Sequence, residues 1–223
     1  MNSSNQTIAR GLRLANLGLG LFFLAGIAAV VFTELKPERF LDSRIATIFF
    51  YFLPAIVLDL AGRALCCVLP PALSTSRLIA LSSLVAGLVG AVLLLAFVLD
   101  RHFDMGHLPD FAGWVGLLSL VTGNLLFVEF LRRIARGIGH ETLFWHAIAV
   151  LALAFLFLGV LLFLGISLFA TDQDRIPGSF GMPGIIFAII GFLLLVVVYG
   201  NLLSNVRKAL ISLPKTNTIL PSS

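Results

Sequence analysis

The chain has 223 residues, of which 59% are apolar and only 12% charged, and its mean hydropathy is +1.07. Soluble domains carry about 25% charged residues, and a soluble fold this apolar could not cover its surface with polar groups, so the composition predicts an integral membrane protein. The net charge of +4 comes from basic residues beside apolar segments, without a basic run interleaved with aromatics, so we expect no nucleic-acid partner.

Six apolar segments follow one another along the chain, each long enough to cross a membrane as a helix. About 20 residues at 1.5 Å each span the ~30 Å hydrocarbon layer. Loops with proline, glycine or charged residues separate the segments. The predicted spans are residues 14–33, 45–69, 78–99, 113–131, 143–170 and 184–205. We therefore predict an all-α, polytopic membrane bundle of six transmembrane helices that forms one domain over residues 1–223.

Proline and small residues predict local features within these spans. Pro54 removes a backbone hydrogen bond and should kink the second helix. Small residues in the first and third spans suit close helix contacts. These residues are Gly18, Gly20, Gly26, Ser82, Ser83, Gly87 and Gly90.

The basic residues predict the orientation of the bundle. With six spans both termini lie on one side, and that side holds ten of the 15 Lys and Arg residues, while five lie opposite. The ten are Arg10, Arg13, Arg63, Arg77, Arg132, Arg133, Arg136, Arg207, Lys208 and Lys215. The five are Lys36, Arg39, Arg44, Arg101 and Arg175. The positive-inside rule therefore predicts cytoplasmic N- and C-termini.

Ionisable and amide residues inside or near the spans form the candidate site. Two acids lie four residues before a base on one helix face, and two amides accompany them. The residues are Asp59, Arg63, Asn124, Glu129, Arg133 and Asn201. One interpretation is that two ion pairs hold helix ends near the cytoplasmic rim, with Arg63 snorkelling toward the interface. The alternative is a polar cluster that lines an ion, proton or substrate path.

A weak internal similarity relates the three helices that return to the cytoplasm. They end at Arg63, Arg133 and Arg207, and Gly-Asn-Leu-Leu occurs at both 123–126 and 200–203. We interpret the three arginines as ordinary basic helix ends, with a true repeat of three hairpins as the alternative.

The sequence contains no catalytic, cofactor or metal motif. The four histidines form no ligand set, and no Ser–His–Asp arrangement or Gly-rich phosphate loop is evident. Adjacent cysteines rarely meet disulfide geometry, so we expect Cys66 and Cys67 to be small residues at a helix end. Enzymatic activity and a cofactor are therefore not expected.

Three short segments resemble a group of bacterial multi-pass membrane proteins of uncharacterised activity. They are Phe-Leu-Arg-Arg-Ile-Ala-Arg-Gly-Ile-Gly-His-Glu-Thr-Leu at 130–143, Gly-Arg-Ala-Leu-Cys-Cys-Val-Leu-Pro at 62–70 and Arg-Lys-Ala-Leu at 207–210. The resemblance implies a location in the bacterial inner membrane and implies no activity.

The absence of motif chemistry favours a non-catalytic scaffold or accessory subunit. The alternative is a small transporter or channel that uses the polar residues near the cytoplasmic side, and a lipid-modifying enzyme comes third. The expected partners are the lipid bilayer, anionic lipids at the cytoplasmic face, and another membrane protein or a second copy of the chain.

Overall fold

A computed structural model of the chain describes residues 3–35, 52–68, 74–102, 105–109, 111–170 and 181–212. The secondary structure within these ranges is helical, which confirms the predicted all-α class. The helices are α1 (Ser3–Leu35), α2 (Leu53–Cys66), α3 (Ser74–His102), α4 (Phe111–Gly137), α5 (Glu141–Ala170) and α6 (Gly181–Ser212).

Five of these helices are long and apolar enough to cross a membrane. The qualifying segments are Asn5–Leu24, Thr75–Asp100, Phe111–Gly137, Glu141–Gly159 and Ile190–Ser212. The remaining helix, α2, has 14 described residues and so rises only about 21 Å. Residues 45–51 of the predicted second span lie outside the described part, so six spans remain a prediction.

The predicted kink at Pro54 falls at the start of the described α2. Pro54 lies in the first turn of this helix, where a proline costs little because the N–H it lacks would have no helical partner. A kink depends on the carbonyl four residues before the proline, and residue 50 lies outside the described part of the chain.

Helix α1 begins at Ser3, 11 residues before the predicted span. The predicted first span begins at residue 14 and so excludes the polar residues 1–9. In the structure this part of α1 packs onto the bundle, because Ile8 is fully buried and Leu12 is 1% exposed. The Ile8 carbonyl oxygen lies 4.0 Å from the Cys66 sulfur at the end of α2. Tertiary contact therefore extends the helix through a segment whose composition is polar.

The helices surround the bundle axis in chain order. Each helix contacts the next along the chain, α6 closes the ring against α1, and α4 also touches α6. The α1–α2 and α3–α4 contacts are the most extensive. The two helices of each predicted hairpin are thus neighbours in space.

Glycines bring the α1–α2 and α3–α4 pairs close together. A Cβ atom on Gly62 would lie 2.6 Å from the Ala15 backbone nitrogen, and one on Gly90 would lie 2.6 Å from that of Leu120. Because backbone atoms cannot move aside, larger residues there would separate the helices.

The small-residue prediction is confirmed at four of its seven positions. The confirmed residues Gly18, Ser83, Gly87 and Gly90 lie buried at helix contacts. The prediction is wrong for Ser82 and for Gly20, which are both exposed, and no atom of a described residue lies within 4 Å of a Cβ added to Gly20. The surroundings of Gly26 lie outside the described part.

Asp100 shapes the turn between α3 and α4. Its side chain is 2% exposed, and its two carboxylate oxygens accept hydrogen bonds from the backbone N–H groups of His107 and Leu108 at 2.9 and 3.2 Å. Asp100 therefore stabilises a loop in which Gly106 has a φ of +62°.

One face of α3 is apolar and points away from the bundle. Its exposed residues recur at helical spacing: Leu78, Leu81, Val85, Leu88 and Val92. The opposite face carries Ser83, Gly87 and Gly90 and contacts the other helices. A helix with small or polar residues inside and large apolar residues outside is the arrangement that a lipid environment favours.

Candidate functional site

Arg63 on α2 is the centre of the candidate site and is fully buried. Its Nη2 atom lies 2.6 Å from the Oδ2 atom of Asp59, one turn earlier on the same helix. Nη1 donates to the Ser83 hydroxyl on α3 at 3.1 Å, and Nη2 donates to the Asn124 side-chain oxygen on α4 at 2.8 Å. One side chain thus connects three helices.

Two glycines provide the space that the guanidinium occupies. A Cβ atom on Gly87 of α3 would lie 3.4 Å from Arg63 Nη1, and one on Gly123 of α4 would lie 3.2 Å from it. The Ser83 hydroxyl donates to the Gly123 carbonyl at 2.8 Å and so joins α3 to α4 directly. The guanidinium therefore fits because both facing helices are small at this level.

The Phe127 ring and a second hydrogen bond of the Asn124 side chain complete the surroundings of the Arg63 guanidinium. The Arg63 guanidinium carbon lies 5.2 Å from the centroid of the Phe127 ring, a cation–π distance. The Asn124 side-chain N–H donates to the Leu120 carbonyl at 2.9 Å, which fixes the orientation of its amide. We call Asp59, Arg63, Ser83, Asn124 and Phe127 the Arg63 cluster.

The Arg63 cluster balances a large desolvation cost against several strong contacts. A guanidinium away from water needs a counter-charge and hydrogen-bond acceptors, and Asp59, Ser83 and Asn124 supply them. Asp59 keeps 28% of its side chain exposed, so it serves as counter-ion at a smaller desolvation cost. The Nε atom of Arg63 has no hydrogen-bond partner within the described residues. The predicted Asp59–Arg63 pair is present, but Arg63 points into the bundle and does not snorkel.

Glu129 forms a second and different arrangement at the surface of α4. Its carboxylate lies 2.6 Å from Arg132 Nε and 3.1 Å from Arg133 Nε. The Arg133 side chain is 41% exposed. The Arg132 and Arg136 guanidinium carbons lie 5.6 and 4.7 Å from the centroid of the Phe144 ring on α5. The predicted Glu129–Arg133 pair therefore exists as part of a surface network between α4 and α5.

The three arginines predicted to be similar helix ends differ in the structure. Arg63 is buried, Arg133 is exposed and Arg207 is half-buried. The difference arises because only Arg63 faces a gap left by glycines on two other helices.

The six candidate residues therefore separate into three places. Arg63 contacts both Asp59 and Asn124, whereas Glu129 and Arg133 form a separate pair on α4. Asn201 is exposed on α6, and its side chain makes no hydrogen bond to the described part of the chain.

Three residues near Arg63 were not among the candidate site residues. Ser83 was noted only as a small packing residue, and no sequence signal marks Phe127. Tyr199 on α6 is 8% exposed, its hydroxyl has no partner in the described ranges, and it lies within electrostatic range of Arg63 and Asp59. A tyrosine within an apolar segment, away from its usual interfacial position, is a signal that could have identified it.

The two cysteines lie at the end of α2 and are both free thiols. Cys66 is buried against α1, and the Cys67 thiol donates to the Arg63 carbonyl at 3.3 Å. This agrees with the predicted position at a helix end. Within the described ranges no three His, Cys, Asp or Glu side chains are grouped to hold a metal ion.

Comparisons of the chain with protein-family models, curated proteins and solved structures find no match. The resemblance to bacterial multi-pass membrane proteins therefore stays a prediction.

Replacement of Arg63 by alanine should strongly destabilise the bundle. Asp59 would lose its counter-ion, Ser83 and Asn124 would lose a donor, and a cavity would remain between the helices. We expect the free energy of unfolding to fall by about 3–5 kcal/mol, measured by SDS-induced unfolding in mixed micelles.

Arg133→Ala is the matched control, because Arg133 also follows an acid by four residues but is exposed. It should cost less than about 1 kcal/mol. Equal losses in the two variants would show that burial between helices adds nothing to the role of Arg63.

Proposed function

We propose that the protein is a non-catalytic membrane scaffold or accessory subunit, in which the Arg63 cluster stabilises the helix arrangement. The observation that carries the proposal is that the Arg63 guanidinium is fully buried and bonded to side chains of three helices.

A buried guanidinium with fixed partners is suited to hold helices and poorly suited to turnover. A residue that binds a solute must exchange its protein partners for that solute. Arg63 would have to release a carboxylate, a hydroxyl and an amide to do so, and the buried guanidinium and the buried Ser83 hydroxyl would then lack partners, which carries a desolvation cost. The contacts therefore support a structural role.

The membrane location is supported by the surface of the bundle and by the lengths of its helices. Five helices have spanning length and apolarity, and large apolar residues are exposed along α3. The excess of Lys and Arg on the side of the termini supports a cytoplasmic location for both ends. The resemblance stated above supports the bacterial inner membrane.

A small transporter is the second candidate, and the polarity around Arg63 favours it. Asp59 is partly exposed beside the buried guanidinium, while Arg63 Nε and the Tyr199 hydroxyl are buried without partners in the described part of the chain. Intramembrane acids with incompletely bonded neighbours are common on proton paths.

Asp59→Asn, measured for folded yield and for proton flux in reconstituted vesicles, separates the two functions. We expect a lower folded yield because Arg63 would keep only neutral partners, and a wild-type flux equal to that of empty vesicles. Glu129→Gln is the matched control, since this acid is about as buried as Asp59 but its partners Arg132 and Arg133 are 32% and 41% exposed, and it should leave the yield close to that of the wild type.

Wild-type flux above that of empty vesicles, lost in well-folded Asp59→Asn protein, would contradict the scaffold and establish the transporter. A low folded yield of Asp59→Asn, together with a wild-type flux no greater than that of empty vesicles, would exclude the transporter function.

Labelling of the native cysteines tests the orientation. Cys67 is the useful reporter because it is half-buried, whereas Cys66 is fully buried. A membrane-impermeant maleimide should label Cys67 only after the cells are permeabilised. Equal labelling of intact cells would place this end of α2, and with it the termini, outside the cytoplasm.

A further inference from the structure

A cleft with polar and apolar walls lies where the start of α5 meets the end of α6, apart from the Arg63 cluster. Its volume is about 510 Å³. The polar residues that line it are His140, Thr142, His146, Asn205, Lys208 and Ser212. Gly139, with a φ of +69°, reverses the chain immediately before His140 and so places that histidine beside the end of α6.

The cleft is lined by these polar residues together with Leu143 and Ala209, and no carboxylate of a described residue is among them. Lys208 contributes an ammonium group, Asn205 an amide and the two histidines imidazoles, whereas the Ser212 hydroxyl already donates to the Ala209 carbonyl at 2.9 Å. Lys208 forms no ion pair with any described residue. The His140 Nδ1 atom and the Thr142 hydroxyl are already 2.8 Å apart, which orients both groups before a ligand arrives. A cation would meet Lys208 without a counter-charge, whereas an anion would meet donors from both helices.

We propose that this cleft binds a phosphate ester, with Lys208 as its counter-charge and Asn205 and the imidazoles as donors. A phosphate group has several acceptor oxygens and matches a site with one cation and multiple neutral donors. Either the headgroup of an anionic phospholipid or a soluble phosphate ester supplies this chemistry. The lipid source depends on the proposed membrane location, and the soluble source does not.

The neutral residue Asn205 gives the sharpest test, because its replacement changes no charge. The wild-type protein and variants are placed in phosphatidylcholine nanodiscs with 10% phosphatidic acid, and the retained phosphatidic acid is counted by native mass spectrometry. Asn205→Leu should lower retention at least threefold. Asn201→Leu, an exposed site one turn earlier on α6, should leave it unchanged.

Two substitutions of basic residues measure how much of the loss of phosphatidic acid exceeds the general attraction of basic residues to an anionic membrane. Removal of any basic residue near an anionic membrane costs about fivefold in binding. Lys208→Met should lower retention of phosphatidic acid more than about fivefold. Arg10→Met, at an exposed position on α1, should lower it by no more than about fivefold. Ser212→Asp adds a carboxylate at an exposed edge of the cleft, so it should abolish retention in protein that elutes as folded.

Titration of the detergent-solubilised protein with glycerol 3-phosphate distinguishes the two sources. Binding of this probe that Asn205→Leu weakens indicates a soluble phosphate ester, and retention of phosphatidic acid without such binding indicates a lipid headgroup. The proposal is overturned if neither probe binds, or if Asn205→Leu and Asn201→Leu behave alike. Neither outcome depends on the flux measurement, so the scaffold proposal and the phosphate-ester proposal are tested independently.

Discussion

The burial of one guanidinium between three helices is the constraint on which the rest of this structure depends. A charge away from water must be paired and hydrogen-bonded, because leaving a buried charge unpaired costs about 3–5 kcal/mol, a large part of the net stability of most domains. Arg63 satisfies this requirement through Asp59, Ser83 and Asn124. The partners have to sit at one level of the bundle, so the relative positions of α2, α3 and α4 follow from this one residue.

Close helix packing at glycines is a second requirement, and it makes the burial of the Arg63 guanidinium possible. In lipid there is no hydrophobic driving force between apolar helices, and association depends on packing and on hydrogen bonds between helices. Gly87 and Gly123 let α3 and α4 approach while leaving room for the guanidinium. Gly62 lets α1 and α2 approach each other closely. The large apolar residues of α3 can then face outward. A scaffold or accessory subunit needs such a fixed interior together with an outer surface that is free for lipid or for partner helices.

Local patterns predicted much of the fold and part of the site. Apolar segment length predicted the all-α class and the order of the helices, and the spacing of Asp59 and Arg63 predicted their ion pair. The depth of Arg63 was not predictable, because its other partners lie 20 and 61 residues away. The pairs Asp59–Arg63 and Glu129–Arg133 have the same spacing, yet one is inside the bundle and the other on its surface. The location of each pair depends on the residues of the neighbouring helices, and the local sequence around the pair does not contain this information.

A double-mutant cycle on Arg63 and Asn124 tests the central claim most directly. Arg63→Met and Asn124→Leu, alone and together, remove the hydrogen bond between α2 and α4 while keeping side chains of similar bulk. If this bond joins the helices, the two losses of unfolding free energy will be non-additive by about 1–2 kcal/mol. Additivity within about 0.3 kcal/mol would show that the hydrogen bond between Arg63 and Asn124 does not join α2 to α4 and would contradict this account.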